Sequence, residues 1–326
     1  MRRIHTLPLL LGLLVFAALS IWFNLHTGPM PLSLLDALHD PHTLAAQILR
    51  ELRLPRAANA FVTGALLGMA GTLMQVLLRN PLADPYILGV SGGASVGALL
   101  ALSAGAGALV LQSAAFGGAL VSMLLVFTLA HGRGSWDNAR LLLTGVVLAA
   151  GWGAVISLLL ALNPDTPLQG MLFWLMGDLG IAGTALPGAL ALALVTPAAL
   201  AIAPSLNLLA GGELQAASRG IEVPRLRMLV YVLASLATAS AVTMAGNIGF
   251  VGLVAPHMLR LAGARDHRVL LPAALLLGGA LLSLADALSR LIIEPRQLPV
   301  GVLTALLGVP LFLFLLYRAQ QQVPHE

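Results

Sequence analysis

Asp286 and Arg290 stand four residues apart in the apolar run "LADALSRLI". On a helix that spacing puts a carboxylate and a guanidinium on one face. An isolated charge at a bilayer centre costs about 2.5–3.5 kcal/mol on insertion scales. The two side chains therefore read either as a structural ion pair or as a proton or substrate relay. A second chemistry is spelled by Gly89-Val90-Ser91-Gly92, a Gly-x-Ser-Gly match to intramembrane serine proteases, with His257 as the candidate base. It requires Ser91 and His257 within hydrogen-bond reach at a wet site. Four-residue motifs arise easily in a chain rich in glycine and serine, and the plain reading of Ser91 is a small packing residue. A third candidate is "GGELQAASRGIEVPRLR", residues 211–227, where two glutamates and three arginines interrupt a leucine- and alanine-rich chain.

Other chemistries are absent from the residues. The phosphate loop Gly-x4-Gly-Lys-Ser/Thr needs a lysine, and all seventeen basic residues are arginine. If ATP drives this protein, another polypeptide hydrolyses it. Cysteine is absent, which removes disulfides, zinc thiolates and iron–sulfur clusters. The eight histidines are scattered and His-Glu-x-x-His does not occur. No cofactor and no metal are expected. The pI near 10.6 does not signal nucleic acid, because the arginines are spread over the segments that set membrane topology.

The elements that position these residues must lie in lipid. Hydrophobic residues make up 59% of the 326 and charged residues 9%, where a soluble domain carries about 25% charged. The apolar runs are continuous and not alternating, so the expectation is an all-α polytopic membrane protein in one domain, residues 1–326. Runs at 7–26, 57–78, 91–108, 113–131, 140–162, 185–203, 225–246, 249–263, 270–292 and 299–317 predict about ten transmembrane helices. The first is read as an uncleaved span, and the eighth is interrupted by Gly249, Gly252 and Pro256. With the N-terminus inside, only Arg50, Arg53, Arg56, Arg290 and Arg296 of the seventeen arginines face out, which places both termini in the cytoplasm. Residues 27–56 predict an amphipathic surface helix. Residues 163–184 predict a short apolar helix that lies in or re-enters the interface, where Trp174 is favoured. Thr72, Gln75 and Asn247 are expected to make interhelical hydrogen bonds. "LPRAANAFVTGALLGMAG" (54–71) and "VPRLRMLVYVLASLATASAVTMAG" (223–246) form a faint inverted echo.

Several longer stretches carry a resemblance: "RLPR" (53–56), "NPLADPYILGVSGGASVG" (80–97), "FWLMG" (173–177), "GNIGFVGLVAPHMLRLAGARDHRVLLP" (246–272) and "LPVGVLTALLGVPLF" (298–312). In this order they resemble the permease subunits of iron-chelate and vitamin B12 ABC importers, the FecCD family. The resemblance implies a ten-helix type II importer permease in the inner (plasma) membrane. It implies a homodimer around one pathway, with two copies of a separate ATPase below and a periplasmic substrate-binding protein above. The permease is then a transporter subunit and not an enzyme. Its cargo is an iron(III) chelate, siderophore or haem, with cobalamin as the alternative and the serine protease as a remote one. The cytoplasmic gate maps to Asn80 and Leu82 and to Asn138 and Ala139. Two departures stand out: Gln297 precedes Leu298-Pro299 where the family has glutamate, and Arg219 stands where it has leucine.

Two surfaces follow from that resemblance. Arg53, Arg56 and Arg296 lie on the outer side, where basic loops of the family meet glutamates of the binding protein; headgroup anchoring is the competing reading. Residues 213–221 can form a short helix between Gly212 and Gly220, with Glu213 in its first turn and Pro224 opening the next span. Leu214, Ala217 and Ile221 fall on one face, and Gln215, Ser218, Arg219 and Glu222 on the other. The pattern of Gly212, Glu213, Ala216 and Gly220 resembles the family's coupling helix, which sits in a cleft of the ATPase. Small residues at 216 and 220 would admit that partner closely, and Arg219 would add a charged contact.

Overall fold

A computed structural model describes residues 6–28, 30, 40, 42–130, 138–163, 165–180, 183–293 and 296–320. Arg2, Arg3 and Arg133, which carry part of the orientation argument, lie outside the described residues. Thirteen helices make up the described chain. They are α1 (Thr6–His26), α2 (Leu44–Leu77), α3 (Val90–Ser103), α4 (Ala108–Ala130), α5 (Asn138–Leu162), α6 (Asp165–Met176), α7 (Leu186–Ala201), α8 (Ala203–Ala210), α9 (Glu213–Ser218), α10 (Val223–Ala245), α11 (Val251–Leu261), α12 (His267–Leu291) and α13 (Val300–Gln320). Each of the ten expected apolar runs coincides with one of them. Six helices are long and apolar enough to cross a membrane alone, and α7 with α8 forms a seventh, bent span. The apolar parts of α3, α11 and α13 are shorter.

The centre of the fold is α2. From Ala57 to Leu77 nearly every residue is buried, by protein and not by lipid. Sequence explains how two neighbours, α12 and α11, fit against it. A Cβ at Gly64 would strike the carbonyl of Gly278, one at Gly68 the carbonyl of Ala274, and one at Gly71 the carbonyl of Gly252. The glycines thus let the α2 backbone lie directly on α12 and α11, the close approach that replaces the hydrophobic effect between helices in lipid. A second seam uses the same device: Gly93 and Gly97 of α3 lie against the carbonyls of Gly118 and Ala114 of α4. Along α4 the buried residues are Leu111, Ala115, Ala119, Ser122, Val126 and Ala130, a stripe at helical spacing. Outside this core, α5 buries only Leu141 and Gly145.

Four expectations change. The eighth span is one 11-residue helix, α11, which Gly252 and Pro256 do not interrupt and which Gly249 precedes. The amphipathic helix expected within 27–56 is present from Leu44, with Ala46, Leu49 and Arg53 buried and Leu44, Arg50 and Leu52 exposed. It is no separate element: it forms the first turns of α2, joined through a π-helical turn, Leu49–Arg53, while residues 29, 31–39 and 41 lie outside the described residues. Trp174 is buried in the protein core, because α6 turns it inward with Met171. Thr72 bonds the carbonyl of Gly68 one turn back in its own helix, so it does not bridge helices. The 61° bend between α7 and α8 was not anticipated; Pro204, second in α8, lacks the N–H that would continue the ladder.

Gly68→Ala should destabilise the protein by about 1–3 kcal/mol through overpacking against α12. Gly153→Ala, on the open face of α5 with no atom near its Cβ position, should be neutral or stabilising by up to about 1 kcal/mol. Thermal unfolding of the detergent-solubilised variants measures both; equal midpoints would remove the close-approach argument.

Candidate functional site

At one end of the molecule, α2 stops and the chain makes a compact turn. Arg79 adopts φ +49, and the N–H of Asn80 bonds the carbonyl of Gln75 at 3.1 Å. The Asn80 side chain accepts from the N–H of Leu82 at 2.9 Å, and its carbonyl from Ala83 at 3.1 Å, so Pro81 sits in a closed Asx turn. Asp84 then caps the 3-10 turn Pro85–Leu88 by accepting from the N–H of Tyr86 at 2.8 Å. Burial lifts the Asp84 carboxyl from 3.8 to about 6, against the opposing pull of that Tyr86 N–H. Asn138 opens α5 beside this turn and donates to the carbonyl of Leu78 at 3.4 Å. Ala139 follows it on the surface, and Leu82 is also exposed. The structure therefore brings Asn80, Leu82, Asn138 and Ala139 to one end of the bundle, and joins the two segments by a hydrogen bond.

The short helix α9 lies at the same end. Gly212 (φ +129) and Gly220 (φ +82) bracket it in backbone conformations that side chains resist. Bonds from Ile221 N–H to Ala216 and from Gly220 N–H to Ala217 close a Schellman cap. Leu214 is 90% exposed, beside exposed Ala217, Ser218 and Arg219. Ala216 is fully buried in its own protein. That corrects one expectation: the small side chain at 216 seats the helix on its body and does not face a partner. The neighbouring Glu222–Arg225 pair is exposed on both sides and carries little energy.

Beneath α9 lies an arginine from the second turn of α10. Arg227 is 4% exposed, bonds Glu213 at 2.8 Å, and donates a second arm to the Asn138 side-chain oxygen. A parallel brace runs from Arg260 of α11 to the Gln75 side chain. Both joins link residues far apart in sequence, and only the presence of arginine inside or at the mouth of an apolar span could have hinted at them.

At the opposite end, Asp286 is fully buried. Arg290 reaches it at 3.0 Å, the i,i+4 pair expected from the sequence. Arg56 reaches it at 2.9 Å and the Asn24 amide at 3.0 Å, two partners that no local spacing announces. Arg56 also bonds Gln297 at 2.9 Å, so the glutamine that departs from the family pattern supplies a neutral acceptor here. Arg53 is 6% exposed and donates to the carbonyls of Leu25 (2.8 Å), His26 (3.1 Å) and Met30. Those are orphan acceptors at and beyond the end of α1, and Arg290 adds bonds to Asn24 and Thr27 there. Arg53 and Arg56 therefore hold helix ends together and line a cavity of about 320 Å³; of the three arginines expected to dock a partner, only Arg296 stands exposed.

Among the described residues no hydrogen bond joins Ser91 to His257. The His257 ring packs edge-on against Phe312 at 5.8 Å and its Nε2 is buried without a partner. No base is in place for a serine nucleophile, and no group of three metal-ligating side chains occurs among the described residues.

Comparison with known proteins gives one consistent answer. The profile of the FecCD transport family matches residues 13–318. The chain is 40% identical over 315 residues to the cobalamin import system permease protein BtuC of Halobacterium salinarum, covering 96% of this chain and 82% of that one. It is 39% identical to the hemin transport system permease protein HmuU of Yersinia pestis, over 83% of each. It is 38% identical to the Fe(3+) dicitrate transport system permease protein FecD of Escherichia coli, over 94% of this chain and 99% of that one. A solved structure described as an inward-facing metal-chelate type ABC transporter superposes with a TM-score of 0.85 at 30% identity, covering 95% of this chain and 98% of that one. The fold is that of type II ABC importer permeases, and the relatives are permease subunits, which removes the serine-protease alternative.

Asp286→Asn should cost about 3–5 kcal/mol, since it strands two largely buried guanidinium groups; chemical unfolding in detergent reads this directly. Asp84 makes a separate prediction. Its folded carboxyl holds a proton more tightly than the unfolded one, so its own contribution to stability is greatest below about pH 4, falls as pH rises to about 6, and is flat above. Asp84→Asn keeps the cap acceptor and should flatten that slope in midpoints measured across pH 4–6.

Proposed function

The chain belongs to the FecCD transport family, and on that premise we propose that it passes an iron(III) chelate, siderophore or haem, into the cytoplasm. It is a permease subunit and not an enzyme; ATP hydrolysis resides on a separate ATPase. The second reading is cobalamin, favoured by the 40% identity to a cobalamin permease over nearly the whole chain. The observation that carries the transport reading is the pairing of α9 with the Asn80–Asn138 mouth at one end of the bundle. A six-residue helix that points an almost bare leucine away from its own protein, beside Arg219, has the form of a contact for another subunit.

In this reading that end is cytoplasmic, both termini lie inside, and the permease sits in the inner membrane. Two copies form the pathway, each carrying one ATPase on α9. Gly212, Glu213, Arg219 and Gly220 shape the coupling helix, with Leu214 as its apolar anchor and Ala216 as its seat. Asn80, Leu82, Asn138 and Ala139 form the cytoplasmic gate. On the outer face Arg296 is the docking charge for the binding protein, whereas Arg53 and Arg56 stiffen the surface on which it lands. No cofactor takes part.

Proteoliposomes holding the permease, its ATPase and its binding protein should take up a ferric siderophore or haem on addition of ATP. Uptake of cobalamin alone would move the assignment to the second reading, and uptake of none would sink it. Leu214→Asp should weaken ATPase association at least about tenfold, as expected for loss of a central apolar anchor; unchanged co-purification would show that α9 is not the contact.

A further inference from the structure

We propose that Arg227 is a positioning residue that ties the ATPase-facing helix to the gate, a role that rests on the importer reading above. Its guanidinium spans three elements. From the second turn of α10 it bonds Glu213 at the start of α9 at 2.8 Å, and with another nitrogen it bonds the side chain of Asn138 at the start of α5. Asn138 passes the connection on to α2 through the carbonyl of Leu78, two residues before Asn80. A chain of directional bonds thus runs from the helix that meets the ATPase to both segments of the gate.

The physical chemistry of each link suits transmission. A guanidinium is a rigid planar fork, so a partner drawn away from one arm turns the other arm with it. Glu213 remains 42% exposed while Arg227 is 4% exposed, so the pair has one mobile end and one fixed end. The packing of α9 onto its body runs through Ala216, a single methyl that carries no direction. Buried ion pairs are poor sources of stability compared with apolar packing, so holding α10 in place does not by itself call for arginine at 227. The far side of the α2 terminus is separately braced, because Arg260 holds Gln75 and the Gln75 carbonyl holds the Asn80 N–H. Movement delivered through Asn138 therefore meets a turn with one anchored edge, which pivots instead of translating.

The test compares Glu213→Gln, Asn138→Ala and the double variant in proteoliposomes with ATPase and binding protein, reading ATP hydrolysed per substrate molecule imported. Each single substitution should raise that ratio at least about fivefold, the low end of ordinary coupling energies. Because the links act in series, the double variant should be no worse than the worse single one. The chain lacks cysteine, so Leu82→Cys provides a thiol probe at the gate. Its labelling rate should respond to nucleotide with Glu213 present and cease to respond in Glu213→Gln. An unchanged ratio in Glu213→Gln, or single effects that multiply in the double variant, overturns the relay. Loss of ATPase affinity in Asn138→Ala, which lies outside α9, also overturns it, because the effect would then be one of docking and not of transmission. An unsubstituted permease that binds no ATPase defeats the importer reading instead.

Discussion

Backbone-to-backbone contact between α2 and its neighbours is the constraint on which the rest of this structure depends. Gly64, Gly68 and Gly71 leave no room for a methyl group, and they meet carbonyls of α12 and α11. In lipid, apolar side chains gain nothing by leaving one hydrocarbon environment for another, so close packing is what makes one arrangement better than its rivals. A helix buried on all sides in this way cannot shift by a fraction of an ångström without losing contacts along its length. It serves as a fixed post, and whatever moves in this protein must move around it.

That rigidity decides where polar chemistry sits. Between the glycine contacts there is no space for a charged side chain, so the ionic groups gather where α2 begins and where it ends. At one end Asp286 binds Arg56 of α2, Arg290 of its own helix and Asn24 of α1, which fastens three helices at one carboxylate. At the other, Arg227 and Arg260 hold the segments that flank the Asn80 turn. The first cluster is saturated and buried. The second includes a half-exposed glutamate on a short helix and a hydrogen bond of 3.4 Å, so it can yield where the first cannot.

The placement of arginine shows how far a linear reading carries. Arg53 and Arg296 look alike in sequence, each a basic residue beside a proline-led span. One closes the carbonyls at the end of α1 and the other reaches solvent. Nothing near Arg53 in sequence announces the end of α1, which lies more than twenty residues earlier. Ala216 shows the same limit. A small residue on a two-faced helix fits a partner surface and its own protein equally well, and only the position of α10 and α8 around it makes the choice.

By itself the sequence determined the solvent, the helical class, the ten apolar segments and the absence of a phosphate loop. These follow from composition and local period, which depend on no distant residue. Motif order was enough to indicate the transport family, and the i,i+4 rule alone to pair Asp286 with Arg290. Tertiary structure decided which arginines are free, that Trp174 faces inward, that α7 breaks from α8 at 61°, and that Arg227 joins Glu213 to Asn138. The Arg227–Glu213 and Arg56–Asp286 contacts join residues 14 and 230 apart in sequence. Their geometry is set by how closely the backbones approach, a property of the packed bundle that no single segment contains.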